Sequence, residues 1–447
     1  MATEHVYVPR PLPDLLPGLV PDEDFDEDLK KIIEADSKRY SDLCVGIALI
    51  ENDPRARFAG YKPDEEVFVA STTKAAVAFA AFQLRGYLSD LVAADRAGEI
   101  VDKKSLLDAA RKGWRASENP TLTALAGTSS WSADAPRFDR IFDWRSFKPP
   151  ASPRFGVGKL EGRGEFGESE LDELDEKLEH TPDPDPSANP TTADEKARLA
   201  RQKDLADKSF DDLTRIGFYE RLRLMIGWST NFAATTCMSD LGTAYIDEVL
   251  RSAGLLLENG PTKRESGIVV RGGYTRHPSR KFPTKKPKMV PVRSGGEPTS
   301  KGASARTLTS LFAHGLLGYI PTRSSSACMD VFDLGAGGTD SFIEQGVLLN
   351  TGAPAPTRVL RKIGIGARDD KKGFVHSVHD LAYIERPKLK YVLCILDANH
   401  AHRTNASRAE CDRLDAENKP GPTEESVQVI RDLALKVDQM LLARRPR

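Results

Sequence analysis

The run Val67-Phe68-Val69-Ala70-Ser71-Thr72-Thr73-Lys74-Ala75-Ala76-Val77-Ala78-Phe79-Ala80-Ala81-Phe82 changes character at its one serine. From Ala75 onward it is rich in alanine, the strongest helix former, and no Gly or Pro interrupts it before Gly86. The pattern predicts a buried helix that opens at Ser71. A serine in that place faces unsatisfied backbone N–H groups and the positive end of the helix dipole. Lys74, three residues on, lies on the same face one turn along, with its amine in reach of the serine oxygen. Such a lysine acts as a base only where burial or nearby positive charge lowers its proton affinity, and the apolar surroundings from Val69 to Phe82 favour that. S-x-x-K occurs once in the chain. Alone, it fits equally a serine cap followed by a surface lysine.

Working outward, residues 1–23 read as a proline-rich arm. A helix follows with Phe25, Leu29, Ile32 and Ile33 on one face. Cys44 to Ile50 is an apolar run closed by the turn-like Glu51-Asn52-Asp53-Pro54, which predicts a buried strand, and Arg57 to Tyr61 predicts a second. Downstream, residues 116–215 hold Pro149-Pro150, a glycine cluster and Pro182-Asp-Pro-Asp-Pro186. Between Glu161 and Glu179 they carry nine acidic and two basic residues. A segment of this kind buries little apolar surface and reads as a polar insertion. Order returns at Phe218, through Leu222, Met225 and Ile226, and a helix bearing Ile246, Val249 and Leu250 ends at Gly254. Residues 260–302 read as a basic loop, and about Ala303 to Leu317 as another helix. Val359–Ile365, Phe374–Ile384 and Leu389–Leu396 read as three strands of an antiparallel meander. A last helix aligns Val427, Ile430, Ala434, Val437 and Leu441. Strands at both ends around a helical middle predict an α+β fold. An antiparallel sheet is flanked by the two terminal helices, with a second, all-helical lobe beside it. The expected catalytic domain is discontinuous, residues 24–115 and 216–443, interrupted by the insertion at 116–215.

Composition narrows the function. The 447 residues alone suggest about three domains. The discontinuous unit with one insertion replaces that count. Lys and Arg total 64 against 66 Asp and Glu, for a net charge of -2, which excludes a globally basic nucleic-acid binder. The longest apolar runs fall short of the ~18 residues of a membrane helix. Met1 to Gly18 carries four prolines and no apolar core, unlike a secretory signal. Five dispersed cysteines, Cys44, Cys237, Cys328, Cys394 and Cys411, lack a C-x-x-C pair and suit reduced thiols, so the expected location is cytoplasmic. No cofactor is expected. His376-x-x-His379 lies in a predicted strand, where the two side chains point to opposite faces, and His400-x-His402 has no carboxylate at ligand spacing, so no metal is expected. Gly335-Ala-Gly-Gly338 precedes no convincing helix and is not read as a phosphate loop.

Two further motifs follow the first in order. S-x-N occurs at Ser117, Ser187 and Ser229, but only Ser229-Thr230-Asn231 stands between two apolar helices. A hydroxyl there can relay a proton, and the amide two residues on can hold a substrate carbonyl and the lysine. An ordinary helix cap is the other reading of Ser229. Lys362-Ile363-Gly364 lies in the predicted strand Val359–Ile365; Lys371-Lys372-Gly373 is a rival in a charged turn. A strand lysine beside the serine would bind a substrate carboxylate. The backbone N–H just past Gly364 could pair with that of Ser71 as an oxyanion hole. Lys362 also fits a solubilising edge-strand lysine.

On a helix start, a loop and a strand, S-x-x-K, S-x-N and K-x-G together resemble the signature of the class A β-lactamase and penicillin-binding-protein superfamily, which includes S-x-x-K, S-D-N and K-T-G. The flanks Tyr61–Lys74 and Met225–Ala234, continuing to Leu255, are similar as well. The resemblance covers residues 24–115 and 216–443. It implies a β-lactamase-like fold in which Ser71 is the acylated nucleophile and Lys74 its base partner. Ser229 would carry protons, Asn231 would position substrate, and Lys362 would bind the carboxylate side. The N–H groups of Ser71 and Ile365 would form the oxyanion hole beside Gly364. Three departures stand out: Thr230 replaces an aspartate, Ile363 replaces a hydroxyl residue, and none of Glu258, Glu265 or Glu297 lies in the E-x-x-L-N pattern of the deacylating glutamate. An esterase, amidase, acyl transferase or slow penicillin-binding protein therefore fits as well as a β-lactamase. The runner-up is a deacylation-poor penicillin-binding or sensing module. The expected partner is a small-molecule or peptide-like acyl substrate. Lys263–Arg293, with ten basic residues and one acid, fits two readings: an attractor for an anionic substrate, or a solvated loop paired with the acidic insertion. The same stretch has few interleaved aromatics, which ranks a nucleic-acid partner low.

Overall fold

The apolar run Cys44–Leu49 folds as a strand buried along its whole length, and the architecture is built on both of its faces. The computed structural model describes residues 9–50, 56–127, 135–144, 154–155, 217–227, 229–259, 264–270, 301–319, 331–332, 341–370, 373–398 and 422–444. Its first elements are strand β1 (Val20–Pro21), helices α1 (Glu23–Ala35) and α2 (Ser37–Tyr40), and strands β2 (Cys44–Leu49), β3 (Arg57–Tyr61) and β4 (Val67–Phe68). A 3-10 turn (Ala70–Thr73) leads into α3 (Lys74–Ala94), followed by α4 (Lys103–Ala116), α5 (Pro120–Gly127), α6 (Phe138–Ile141) and the hairpin pair β5 (Phe142–Asp143) and β6 (Arg154–Phe155). Then come α7 (Phe218–Gly227), α8 (Asn231–Leu241), α9 (Thr243–Ser252) and short strands β7 (Leu256–Asn259), β8 (Arg264–Gly267), β9 (Val269–Val270) and β10 (Lys301–Ala303). Helix α10 (Ala305–Ser310) runs into a π-helical segment (Leu311–Tyr319). The chain closes with α11 (Phe342–Leu348), β11 (Arg358–Asp370), β12 (Gly373–Arg386), β13 (Leu389–Ala398) and α12 (Pro422–Ala443).

The main sheet has the order β1-β3-β2-β13-β12-β11, antiparallel throughout except for the parallel pair β1–β3. Strands alternate their side chains between faces. Leu381, Tyr383, Val392 and Cys394 join the core of the helical lobe, whereas Ala382, Ile384, Leu393 and Ile395 pack with Phe25, Leu29 and Ile33 of α1 and Ile430, Leu433 and Val437 of α12. The expected α+β arrangement of a largely antiparallel sheet between terminal helices and a helical lobe is therefore present, with short strands edging the lobe. Helix α10 crosses β2 closely at Gly46, where an added Cβ would sit 2.6 Å from Thr309 Oγ1 and 3.0 Å from the Ala305 carbonyl oxygen.

Helix α12 is fixed to the sheet by a buried charge. Asp438, fully buried, accepts hydrogen bonds from Arg386 Nε (3.0 Å) and Nη2 (2.9 Å), from the Tyr391 hydroxyl (2.8 Å) and from Asn350 Nδ2 (2.7 Å). No described helix is long and apolar enough to cross a membrane. Cys44, Cys237 and Cys394 are buried thiols outside any disulfide; Cys328 and Cys411 lie outside the described residues.

Several expectations need correction. The polar insertion was expected to begin at residue 116, yet Leu122, Leu125, Phe138, Ile141 and Phe142 lie in the lobe's core. Composition averaged over 100 residues hides this apolar opening. Residues 156–216 lie outside the described residues. The range 260–302, expected as loop, holds β8, β9 and β10. Val269-Val270 is too short a run to stand out, and Gly267, at φ 89°, provides a backbone conformation that a side chain would strain. The helix expected to open at Ser71 instead begins at Lys74, after the 3-10 turn. The proline-rich arm is docked from its described start. Pro11 and Pro13 carbonyls accept from Gln83 Nε2 (3.4 Å) and Ser252 Oγ (2.5 Å), the Leu16 N–H donates to the Ala253 carbonyl (3.3 Å), and Val20–Pro21 pairs with β3.

Replacing Asp438 with leucine leaves Arg386 buried without its carboxylate. Urea unfolding is expected to show a loss of about 3–5 kcal/mol, with much of it regained in the Arg386→Met/Asp438→Leu double variant. A single variant as stable as the parent would refute the anchoring role.

Candidate active site

The site forms where the 3-10 turn, the loop between α7 and α8, and the outer strand β11 meet. In the turn, Thr72 Oγ1 donates to the Val69 carbonyl (2.7 Å) and Thr73 Oγ1 to the Ala70 carbonyl (3.0 Å). These hydroxyls bond back to the turn's own backbone, while the Thr72 methyl lies against Gly364, 3.1 Å from where a Cβ there would sit. Ala70 adopts φ 45°, a strained conformation for a residue with a side chain. A 3-10 turn has three residues per turn, so Ser71 and Lys74 stand nearly one above the other. Ser71 is half-buried, and its carbonyl accepts the Lys74 N–H.

Lys74 is fully buried. Its amine donates to the Ser229 carbonyl, to Asn231 Oδ1 (2.8 Å) and, at 3.4 Å, to Ser229 Oγ. Ser229 also has left-handed backbone, φ 57°, which bends the chain between α7 and α8. The helix-cap position falls on Thr230, and it makes no side-chain cap bond. Ser229 is thus not an ordinary cap: its Oγ accepts a hydrogen bond from Lys362 Nζ at 2.8 Å. The competing S-x-N at Ser117 is structural. Ser117 Oγ donates to the Trp114 carbonyl (2.6 Å), and Asn119 caps α5 through the Leu122 N–H (3.0 Å) while donating to Glu248 (2.6 Å). Ser187 lies outside the described residues.

Lys362 sits on the sheet's outer strand but is only 1% exposed, which removes the solubilising reading. Its second bond goes to the Ile363 carbonyl (2.8 Å). Burial pushes its amine down to about 7, partly opposed by the charge of Asp380. Asp380 pairs with Ile363 in the β11–β12 register, and burial pushes its carboxyl up to about 6 against the bonds it accepts from Ser341 Oγ and the Ile343 and Leu381 N–H groups (2.8 Å each). Gly364 is where β11 touches the 3-10 turn. A Cβ there would lie 2.7 Å from the Val69 carbonyl oxygen and 3.1 Å from the Thr72 nitrogen. Ile365, next along, is 42% exposed.

Every predicted site residue therefore lies in one neighbourhood. Ser71, Lys74, Ser229, Asn231 and Lys362 are linked through one turn and a hydrogen-bonded chain, and Gly364 and Ile365 sit where the strand meets that turn. Sequence reasoning missed Asp380 and the position of His379. His379 lies opposite Gly364, fully buried, and burial pushes its imidazole down to about 3, so it is neutral. Only the strand register exposes these two, and no local motif marks them. Glu258 and Glu265 are partners in the backbone register of the β7–β8 hairpin. Glu297, the rival Lys371-Lys372 pair, His400, His402, Gly335–Gly338, and Arg271, Arg276 and Arg280 of the basic stretch lie outside the described residues. Among the described residues, no three His, Cys, Asp or Glu side chains gather as a metal site.

No protein-family model and no curated protein matches the chain. Solved structures do. A class A β-lactamase reconstructed as an ancestor, labelled GNCA, is 15% identical and has a TM-score of 0.42, covering 93% of this chain and 99% of its own. The β-lactamase from Streptomyces albus G is 15% identical at a TM-score of 0.42, with 94% and 99% covered. A β-lactamase from Xanthomonas campestris pv. campestris is 12% identical at 0.42, with 94% and 98% covered.

The depressed Lys362 amine makes stability depend on pH. The unfolded chain, with an ordinary lysine near 10.5, holds this proton over a range in which the folded chain has released it. Its contribution to stability should therefore rise with pH from about 7 to about 10. In chemical denaturation, the stability difference between the parent and Lys362→Met is expected to shift in the parent's favour across that window. A difference that stays flat would contradict the buried, depressed amine.

Proposed function

We propose that the chain is a β-lactamase-like serine hydrolase or acyltransferase that forms an acyl-enzyme on Ser71. The observation that carries this reading is the convergence of two buried amines, Lys74 and Lys362, on one hydroxyl, Ser229 Oγ, beside the turn that holds Ser71. In the first step Ser71 Oγ attacks the acyl carbonyl, and its proton passes to the unprotonated amine of Lys74. The C–O or C–N bond to the leaving group breaks as Ser229 gives that group its hydroxyl proton. The proton taken up at Lys74 then returns to Ser229 Oγ along their contact. The N–H groups of Ser71 and Ile365 are assigned to the developing oxyanion, with Gly364 permitting the strand to come that close. Asn231, which accepts from Lys74, fixes the amine and offers its Nδ2 to substrate.

The second step transfers the acyl group from Ser71 to water or another acceptor. The missing E-x-x-L-N pattern supports slow deacylation. A penicillin-binding or sensing module that holds its adduct is the second reading, and the lifetime of the adduct separates the two.

Incubation with a fluorophosphonate, followed by intact-mass measurement, is expected to add one phosphonyl group, and Ser71→Ala is expected to abolish it. A folded parent protein that takes up no phosphonate would refute the nucleophile. Lys74→Ala should slow labelling by about 100-fold or more, as for loss of a general base. Gly364→Ala, which forces β11 off the turn, should slow it by about 100-fold while the circular dichroism spectrum is retained. Labelling of the glycine variant at the parent rate would show that the strand's approach to Ser71 does not matter.

A further inference from the structure

We propose that Asp380, from the far face of the sheet, decides which of the site's two buried lysines carries the positive charge. It holds the proton on Lys362 and leaves Lys74 free to act as the base. The inference rests on the acyl-serine reading above and adds a positioning residue to it.

The strand register sets the geometry. Ile363 pairs with Asp380, and Lys362 with Leu381. Side chains alternate between faces, so Lys362 points to the lobe with Leu381, and Asp380 points to α11. The two groups face apart and do not bond, but neighbouring strands lie only about 4.8 Å from each other. Asp380 is built to hold charge. Fully buried, it accepts from Ser341 Oγ and from the Ile343 and Leu381 N–H groups, at 2.8 Å each, where α11 opens. Burial raises its carboxyl to about 6, so from neutral pH upward it is an anion. A charge this near in a dry interior is felt through the sheet and favours the protonated form of Lys362.

Two amines on one hydroxyl make that bias matter. Lys74 and Lys362 both donate to Ser229 Oγ, at 3.4 and 2.8 Å. Two like charges in one buried site are disfavoured, so a proton on one amine lowers the proton affinity of the other. Asp380 lies on the strand beside Lys362, whereas Lys74 stands across Ser229 at the head of α3. The carboxylate thus favours charge on Lys362. The other ionisable groups packed around the pair do not reverse this. His379 shares the face of Lys362 but is neutral, its imidazole pushed down to about 3 by burial. The Cys394 thiol on β13 is kept protonated by burial and by Asp380 itself. Glu344 of α11 is engaged by Arg361, and Asp438 of α12 by Arg386. A charged Lys362 also strengthens its bond to Ser229 Oγ, which makes that hydroxyl a better proton donor to the leaving group.

The test follows fluorophosphonate labelling of Ser71 against pH in the full chain and in Asp380→Asn. Labelling needs an unprotonated Lys74, so its acidic limb reports that amine. In Asp380→Asn the limb is expected to move up by about one pH unit, which is about tenfold slower labelling at a fixed pH on the limb. The Lys362 midpoint is read by NMR in protein carrying isotope-labelled lysine, from the resonance that Lys362→Met removes. It is expected to fall by a similar amount. A carboxylate that only fastens α11 would lower the rate equally at every pH. Ser341→Ala, which takes one donor from the carboxylate, should move both readouts the same way by less, and it decides the matter if Asp380→Asn does not fold. A limb that stays in place in the folded variant, whatever the overall rate, would overturn the inference and leave the acyl-serine reading standing. Failure of the parent chain to label at Ser71 would overturn that reading, and the inference with it.

Discussion

Ser229 Oγ is the point on which the two halves of the molecule depend. It lies between an amine at the head of the lobe's central helix, α3, and an amine on the outer strand of the sheet. Lys362 reaches it from one direction and holds only a hydroxyl and a peptide carbonyl. A carboxylate partner would lock such an amine in its charged form. A hydroxyl and a carbonyl leave both forms accessible, and burial then favours the neutral one. The chemistry proposed for Ser71 passes its protons through Lys74 and the Ser229 hydroxyl, and Lys362 holds that hydroxyl in place.

Supporting this point requires a rigid wall on one side and a long helix on the other. The sheet supplies the wall because both its faces are buried, one against α1 and α12, the other against the lobe. Asp438 holds α12 to β12, β13 and the end of α11 with four hydrogen bonds, from Arg386, Tyr391 and Asn350. Gly46 lets α10 approach the centre of the sheet, and Gly364 lets β11 approach the 3-10 turn that carries Ser71. Two of the five described non-glycine residues with positive φ, Ala70 and Ser229, lie at the cluster and are held there by the packing around them.

Much of this was legible in the sequence. The alternation of the last three strands, the apolar stripes of α1 and α12, and the residues Ser71, Lys74, Ser229, Asn231 and Lys362 could each be found from local pattern. Those signals are local because period, composition and spacing are local. What escaped has a tertiary cause. The 3-10 turn arises from the threonines bonding back to Val69 and Ala70, which nothing in Ser-Thr-Thr-Lys announces. Helix α4 does carry a local mark, the Asp102–Ser105 capping box. Helices α5 and α6 belong to the lobe because Leu122, Phe138 and Ile141 find partners there, although the polar stretch that follows dominates the average. His379 and Asp380 take their meaning from lying across from Gly364 and Ile363, a relation that exists only once the register is fixed.

The two borders of the main sheet are unlike. One is β1, two residues long and ending in Pro21, which has no N–H to offer, and the arm that precedes it is tied down on the lobe. The other is β11, thirteen residues long. A foreign strand can be templated only where a row of backbone donors and acceptors is open, so among the described residues intermolecular pairing has one border on which to grow, the one beside Ser71. An acyl donor of the kind proposed for Ser71 would compete with self-association for that strand, so a molecule seated there would also keep the protein from aggregating.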